Sequence, residues 1–132
     1  MVRNSLFSLI LLLLSSTGVY AQAENGPDLK FDEKKHDFGD VIQGDVVEHN
    51  FKFTNAGKEP LVISRIVTTC GCTAPTWPKE PIKAGDSGKI KIVFNSTGKI
   101  GRQNKVVTIL SNSVNQKEQL FIVDNNIPKS GK

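Results

Sequence analysis

The chain has 132 residues, with 17 Lys and Arg against 13 Asp and Glu, 38% hydrophobic residues, two cysteines and two histidines. That length allows one domain, able to bury a core without metal or many disulfides. The net charge of +4 is spread along the chain, with short clusters at Lys34-Lys35 and Lys89/Lys91 but no arginine-rich run with interleaved aromatics, so nucleic acid is excluded as a partner and a solvated lysine face is expected.

In chain order, Arg3 precedes an apolar run from Leu6 to Leu14 broken only by Ser8, and Ser15-Ser16-Thr17-Gly18 leads into Val19-Tyr20-Ala21. The run is about half the ~20 apolar residues a membrane-spanning helix needs, and small residues follow it. Residues 1–21 are therefore expected to be a secretory signal peptide, cleaved after Ala21 or, alternatively, Ala23. No transmembrane anchor is expected after cleavage. No cysteine lies near the cleavage site to carry a lipid. Residues 22–28 read as a polar leader, 29–127 as the domain and 128–132 as a tail, and the mature protein is expected to be secreted or periplasmic.

From residue 29 the apolar residues recur with period two. Leu29 to Glu33 and a short piece near Val41-Ile42 come first. Asp45 to Thr54 is the clearest strand, with Val47, His49, Phe51 and Phe53 on one face and Glu48, Asn50, Lys52 and Thr54 on the other. Asn55-Ala56-Gly57-Lys58 reads as a turn in which Asn and Gly tolerate positive φ. Pro60 opens a strand through Leu61, Val62, Ile63 and Ile66. Lys89 to Phe94, Lys105 to Leu110 and Gln119 to Asp124 complete about seven strands, separated by polar turns that include Asn95-Ser96-Thr97. Turn signals at this spacing predict an all-β, two-sheet sandwich of the immunoglobulin-like type, without the cysteine–tryptophan–cysteine staple of antibody domains. Asp37-Phe38-Gly39 spells a kinase motif without the rest of a kinase, and reads as a turn with Phe38 packing inward.

The chemistry concentrates in Cys70-Gly71-Cys72-Thr73-Ala74-Pro75-Thr76-Trp77. In an extended strand the two cysteines would face the same side with Cα atoms about 6.6 Å apart, near the limit for a disulfide. Gly71 is expected to shorten that gap by adopting positive φ. Three readings stand side by side. The leading one is a disulfide that locks the strand-to-loop corner in an oxidising compartment. The second is copper or zinc held by Cys70 and Cys72, which supply two ligands only; the third is thiol–disulfide exchange. Thr73, Pro75 and Trp77 support the loop, with Trp77 expected to cover one end of the core rather than stack on a ligand. His49, on an apolar face, reads as a satisfied core or cross-strand histidine, and His36 as an exposed turn residue. No nucleophile–base–acid set is readable, so an enzyme and a resident cofactor are not expected.

These residues resemble a known pattern. His36-Asp37-Phe38-Gly39, Gly44, Phe51-Lys52-Phe53-Thr54-Asn55-Ala56-Gly57, Pro60-Leu61-Val62-Ile63, Cys70-Gly71-Cys72-Thr73, Trp77, Pro81-Ile82, Gly85, Gly88 and Ser111-Asn112 are similar to the secreted bacterial family known as domain of unknown function 1573. The resemblance covers nearly the whole mature chain, and Cys-Gly-Cys-Thr is its most specific element. It implies one immunoglobulin-like domain akin to Hydin-type domains, exported mainly by Bacteroidetes-like bacteria, and no established activity. Val123-Asp124-Asn125-Asn126 stands where such domains tend to carry a glycine, which leaves the length of the last strand open. The function expected is a binding or assembly module of the cell envelope that meets a protein partner; the alternative is a periplasmic metal or thiol-redox carrier using Cys70 and Cys72.

Overall fold

A computed structural model describes residues 26–130, so the expected signal peptide and most of the polar leader lie outside the described residues. Eight strands follow one another: β1 (Leu29–Phe31), β2 (Lys35–Ile42), β3 (Val46–Asn55), β4 (Ile63–Thr68), β5 (Thr73–Thr76), β6 (Ser87–Asn95), β7 (Gly101–Ser111) and β8 (Lys117–Ile127). One sheet has the order β1-β3-β6-β5 and the other β2-β8-β7-β4. Every pairing is antiparallel except β2 with β8, which is parallel. Among the described residues no helix is long and apolar enough to cross a membrane.

The period-two pattern is what builds the core. Along β3, Phe51 and Phe53 are buried while Glu48, Asn50 and Lys52 are exposed. Their cross-strand partners on β6 continue the same face: Val47 opposes Phe94, His49 opposes Ile92 and Phe51 opposes Ile90. From the other sheet Val107, Ile109, Leu120 and Ile122 close over them, all fully buried. Each such aliphatic or phenyl side chain contributes about 1.5–3 kcal/mol on burial. Gly88 opposes Phe53 because nothing larger fits: a Cβ there would lie 2.6 Å from the phenyl Cζ.

Two expectations are corrected. There are eight strands rather than about seven, because Thr73–Thr76 pairs with β6 as a strand of its own, although it contains Pro75. In the β5–β6 ladder Cys72 accepts a bond from the Asn95 N–H, which places the backbone nitrogen of Pro75, three residues on, outward at the sheet edge, the one place a strand tolerates proline. Asp37-Phe38-Gly39 is not a turn but a bulge inside β2, where the register shifts between Asp37 and Asp40. Gly39 takes φ 69° and donates its N–H to Asp37 Oδ1 at 2.8 Å, so the strand continues beyond the irregularity.

The last strand runs on through Ile127, and Asp124 and Asn126 follow Ile122 onto its inward face. Asn126 Nδ2 donates to Asp124 Oδ2 and to the Gly101 carbonyl, while Asp124 Oδ1 and Asn126 Oδ1 are buried without a partner. Burial raises the Asp124 carboxyl above its ordinary value of 3.8, against the Asn126 hydrogen bond and the Lys105 charge. One end of the core is thus polar, with Lys105 buried beside it and bonded to Gln103 Oε1 at 2.7 Å.

Candidate functional site

The chain passes between the two sheets at both lateral sides of the sandwich, and each passage carries unusual side chains. On one side β4 of the second sheet leads to β5 of the first through Thr69–Cys72. Here Cys70 and Cys72 form a disulfide with Cα atoms 5.2 Å apart. The shortening comes from a β-turn, in which the Thr73 N–H donates to the Cys70 carbonyl at 3.2 Å. Thr68 Oγ1 donates to the Cys70 carbonyl at 3.0 Å, and the Cys72 N–H donates to Cys70 Sγ at 3.1 Å.

The role expected for Gly71 is not the observed one. Its φ is not among the positive values, and a Cβ on it would meet nothing within 4 Å. The turn, and not a left-handed glycine, brings the cysteines together. Thr73 is buried, Pro75 sits on the edge strand, and Trp77 packs against the core with the Lys79 ammonium 3.0 Å from its ring centroid. Among the described residues no His, Asp or Glu joins the two cysteines in a metal-sized group.

A disulfide closing so short a loop removes little unfolded-state entropy. The double variant Cys70→Ser/Cys72→Ser is therefore expected to lose only about 1–2 kcal/mol, read from urea midpoints at unchanged slope. A loss above about 4 kcal/mol would mean that the corner holds the sandwich together in some other way.

The opposite side joins β1 to β2 and β2 to β3, and it gathers both histidines. His36 is not an exposed turn residue: it lies half-buried in β2, facing across to β3. Its ring stacks on that of His49, with centroids 3.6 Å apart and planes 9° from parallel. Phe38 meets His36 edge-on at 4.6 Å and Phe51 meets His49 edge-on at 4.8 Å, so four rings form a ladder between the sheets. His49 Nε2 also pairs with Glu33 Oε1 at 2.5 Å, from the connection between β1 and β2. Burial first, then the neighbouring His49, lowers the His36 pKa below 6.5, opposed by the Glu33 and Asp37 carboxylates.

Glu33, His36 and His49 come together through tertiary structure, and sequence reasoning left them apart. A signal was present. His36-Asp37-Phe38 and His49-Asn50-Phe51 repeat one His-x-Phe pattern, which under period two sets each histidine on the same face as an inward phenylalanine.

The same side leaves backbone open. β1 pairs only with Phe53, Thr54 and Asn55 of β3, and the Asp32 N–H then bonds the Lys52 carbonyl. Since the Asp45 carbonyl and the Asn55 N–H bond the β6 side, alternation aims the N–H and C=O groups of Val46, Glu48 and Asn50 away from β6. Among the described residues they meet no strand. Val46 and Ile42, 58% and 45% exposed, lie at the same end.

A family model described as protein of unknown function (DUF1573) matches residues 29–125. Among solved structures, a protein of unknown function from Porphyromonas gingivalis W83 superposes with TM-score 0.69 at 15% identity, covering 78% of this chain and 48% of that one. The PapD-like domain 7 of human CEP192 superposes with TM-score 0.66 at 10% identity, over 80% of this chain and 89% of that one. The YadV chaperone follows at TM-score 0.51 and 18% identity, over 80% and 55%. The chain spans about half the length of the Porphyromonas protein. No curated protein matches it. Identities this low speak for the fold alone: an all-β sandwich of the immunoglobulin-like and PapD-like kind.

Proposed function

The chain belongs to the DUF1573 family, and we propose that it is a non-catalytic binding module of the bacterial cell envelope, exported by its N-terminal segment, that takes an extended segment of a protein partner as an added strand beside β3. The observation that carries this reading is the outward row of backbone groups at Val46, Glu48 and Asn50. An unpaired row of this kind is a template for main-chain hydrogen bonds, and flanking apolar side chains give an incoming strand something to bury. Val46 and Ile42 supply that apolar surface. On the opposite side Pro75 blunts the edge of β5.

The metal-carrier alternative needs Cys70 and Cys72 as free thiols, and the disulfide, with no third ligand beside it among the described residues, gives it no support. A thiol-redox carrier would hold this same disulfide as its oxidised form, so the double serine variant below is what separates it from strand addition.

Glu48→Pro is the discriminating variant. Its N–H points away from β6, so proline removes an outward donor without breaking the ladder, and the fold is expected to survive. Wild type, Glu48→Pro and Cys70→Ser/Cys72→Ser are each used to capture partners from envelope extract of the source organism. The wild type and the double serine variant are expected to retain the same partner and Glu48→Pro to lose it at least tenfold. Equal capture by Glu48→Pro, or none by the wild type, would sink the reading; loss in the double serine variant alone would favour the carrier.

A further inference from the structure

We propose that Glu33, His36 and His49 bind a divalent first-row transition metal, with Zn²⁺ as the probe ion, in a two-histidine, one-carboxylate site that ties the two sheets together at their open side. The three side chains come from three separate segments: the β1–β2 connection, β2 and β3. Their ligand atoms already lie within 4.8 Å of one another. Tetrahedral zinc with bonds of 2.0–2.1 Å holds its ligand atoms about 3.4 Å apart, so closure of about 1.5 Å completes the triangle.

The movement needed is small, and Glu33 can make most of it. Glu33 lies outside the strands and its side chain is 49% exposed. The imidazoles turn about their Cβ–Cγ bonds, a soft torsion, from stacked planes to planes whose lone pairs meet at one point. The edge contacts of Phe38 and Phe51 limit that rotation and keep the rings at the inter-sheet seam.

The donor set selects the ion. Two imidazoles and one carboxylate suit Zn²⁺, Ni²⁺, Cu²⁺ or Fe²⁺ and are a poor match for Ca²⁺ or Mg²⁺, which prefer oxygen alone. Glu33 supplies negative charge at the seam, with Asp37 nearby. Three protein ligands leave a fourth position for water or another donor. Such an ion would bridge β2 and β3, strands of different sheets that share no backbone ladder.

The test is zinc titration of the chelator-treated purified protein, followed by calorimetry, by melting temperature and by NMR of the histidine side chains. One Zn²⁺ per chain is expected, with a rise in melting temperature and with both histidine spin systems shifting in the wild type, a readout that needs no variant to fold. His36→Asn and His49→Asn are each expected to weaken binding by about 100-fold or more, and Glu33→Gln by about tenfold. Cys70→Ser/Cys72→Ser is expected to leave it unchanged. Absence of binding, histidine resonances that do not move, or loss of binding in the double serine variant would overturn the site. Because the readouts involve no protein partner, failure here leaves the strand-addition reading standing, and failure of that reading leaves the metal site standing.

Discussion

Asn55→Ala is expected to destabilise the domain by about 3–5 kcal/mol, more than most single changes to its surface. The side chain is fully buried at the end of β3, where β1, β6 and the following turn converge. Its Oδ1 accepts the N–H groups of Asp28 and Gly57, both at 3.1 Å, and its Nδ2 donates to the carbonyls of Glu59 at 2.7 Å and Ile82 at 2.9 Å. Alanine removes one partner from four backbone groups at once. An unsatisfied buried group costs about 1–3 kcal/mol, and water can recover part of that at the three bonds that are only partly buried. Asn55→Asp keeps the acceptors and loses both donors, setting a carboxylate against two carbonyls. It is expected to be destabilising as well, which a simple loss of volume would not predict. Urea unfolding of the three proteins checks this, and a loss below 1 kcal/mol for the alanine variant would show that the backbone finds other partners.

Asn55 also shows where the residues alone stop being informative. In Asn55-Ala56-Gly57-Lys58 the asparagine and glycine look like turn formers chosen for positive φ, and the chain does bend there, over residues 57–59. Neither residue has that role, however: Asn55 ends a strand and fills a buried polar socket, and Gly57 is absent from the glycines with positive φ. The alternation of Val47, His49, Phe51 and Phe53 is legible because the pleat imposes its period on any half-buried strand, whatever the rest of the chain does. Half of the socket of Asn55, the Asp28 and Ile82 backbone, comes from residues 27 positions before and after it, and no local pattern encodes them.

The candidate sites divide in the same way. The cysteine corner is legible because its two members are adjacent in the chain; even so, β5 within it is hidden, since a proline lowers the score of any strand. His36 and His49 are 13 residues apart and on different sheets, and their stacking depends on how those sheets are laid together. A turn reading for Asp37-Gly39 further separated them, where the chain has a bulge and β2 continues. The edge beside β3 follows only from pairing, because β1 stops at Phe31 and leaves the first half of its neighbour uncovered.

The second large effect is expected at Gly57, with Gly71 as its control. A Cβ on Gly57 would lie 1.9 Å from the Gly26 carbonyl oxygen, 2.7 Å from the Asp28 nitrogen and 2.8 Å from the Pro27 carbonyl carbon. All three are backbone atoms, so no side chain can swing away to relieve the overlap. Gly57→Ala must displace residues 26–28, and these hold β1 in place: Asp28 accepts from the Ala56 N–H, Gly26 from the Lys58 N–H and Pro27 from the Val114 N–H. Leu29, buried at the start of β1, then loses its bond to Ser113 Oγ. We expect a loss of about 2–4 kcal/mol, with faster hydrogen exchange confined at first to the amides of Leu29, Ala56, Lys58 and Val114. Gly71, at the signature cysteines, has ordinary φ and open space around its missing Cβ, so Gly71→Ala is expected to change stability by no more than about 0.5 kcal/mol and to leave the disulfide formed. If Gly71→Ala instead prevented the disulfide while Gly57→Ala folded normally, the closeness of the cysteines would rest on the glycine after all, and the β-turn would not be its cause.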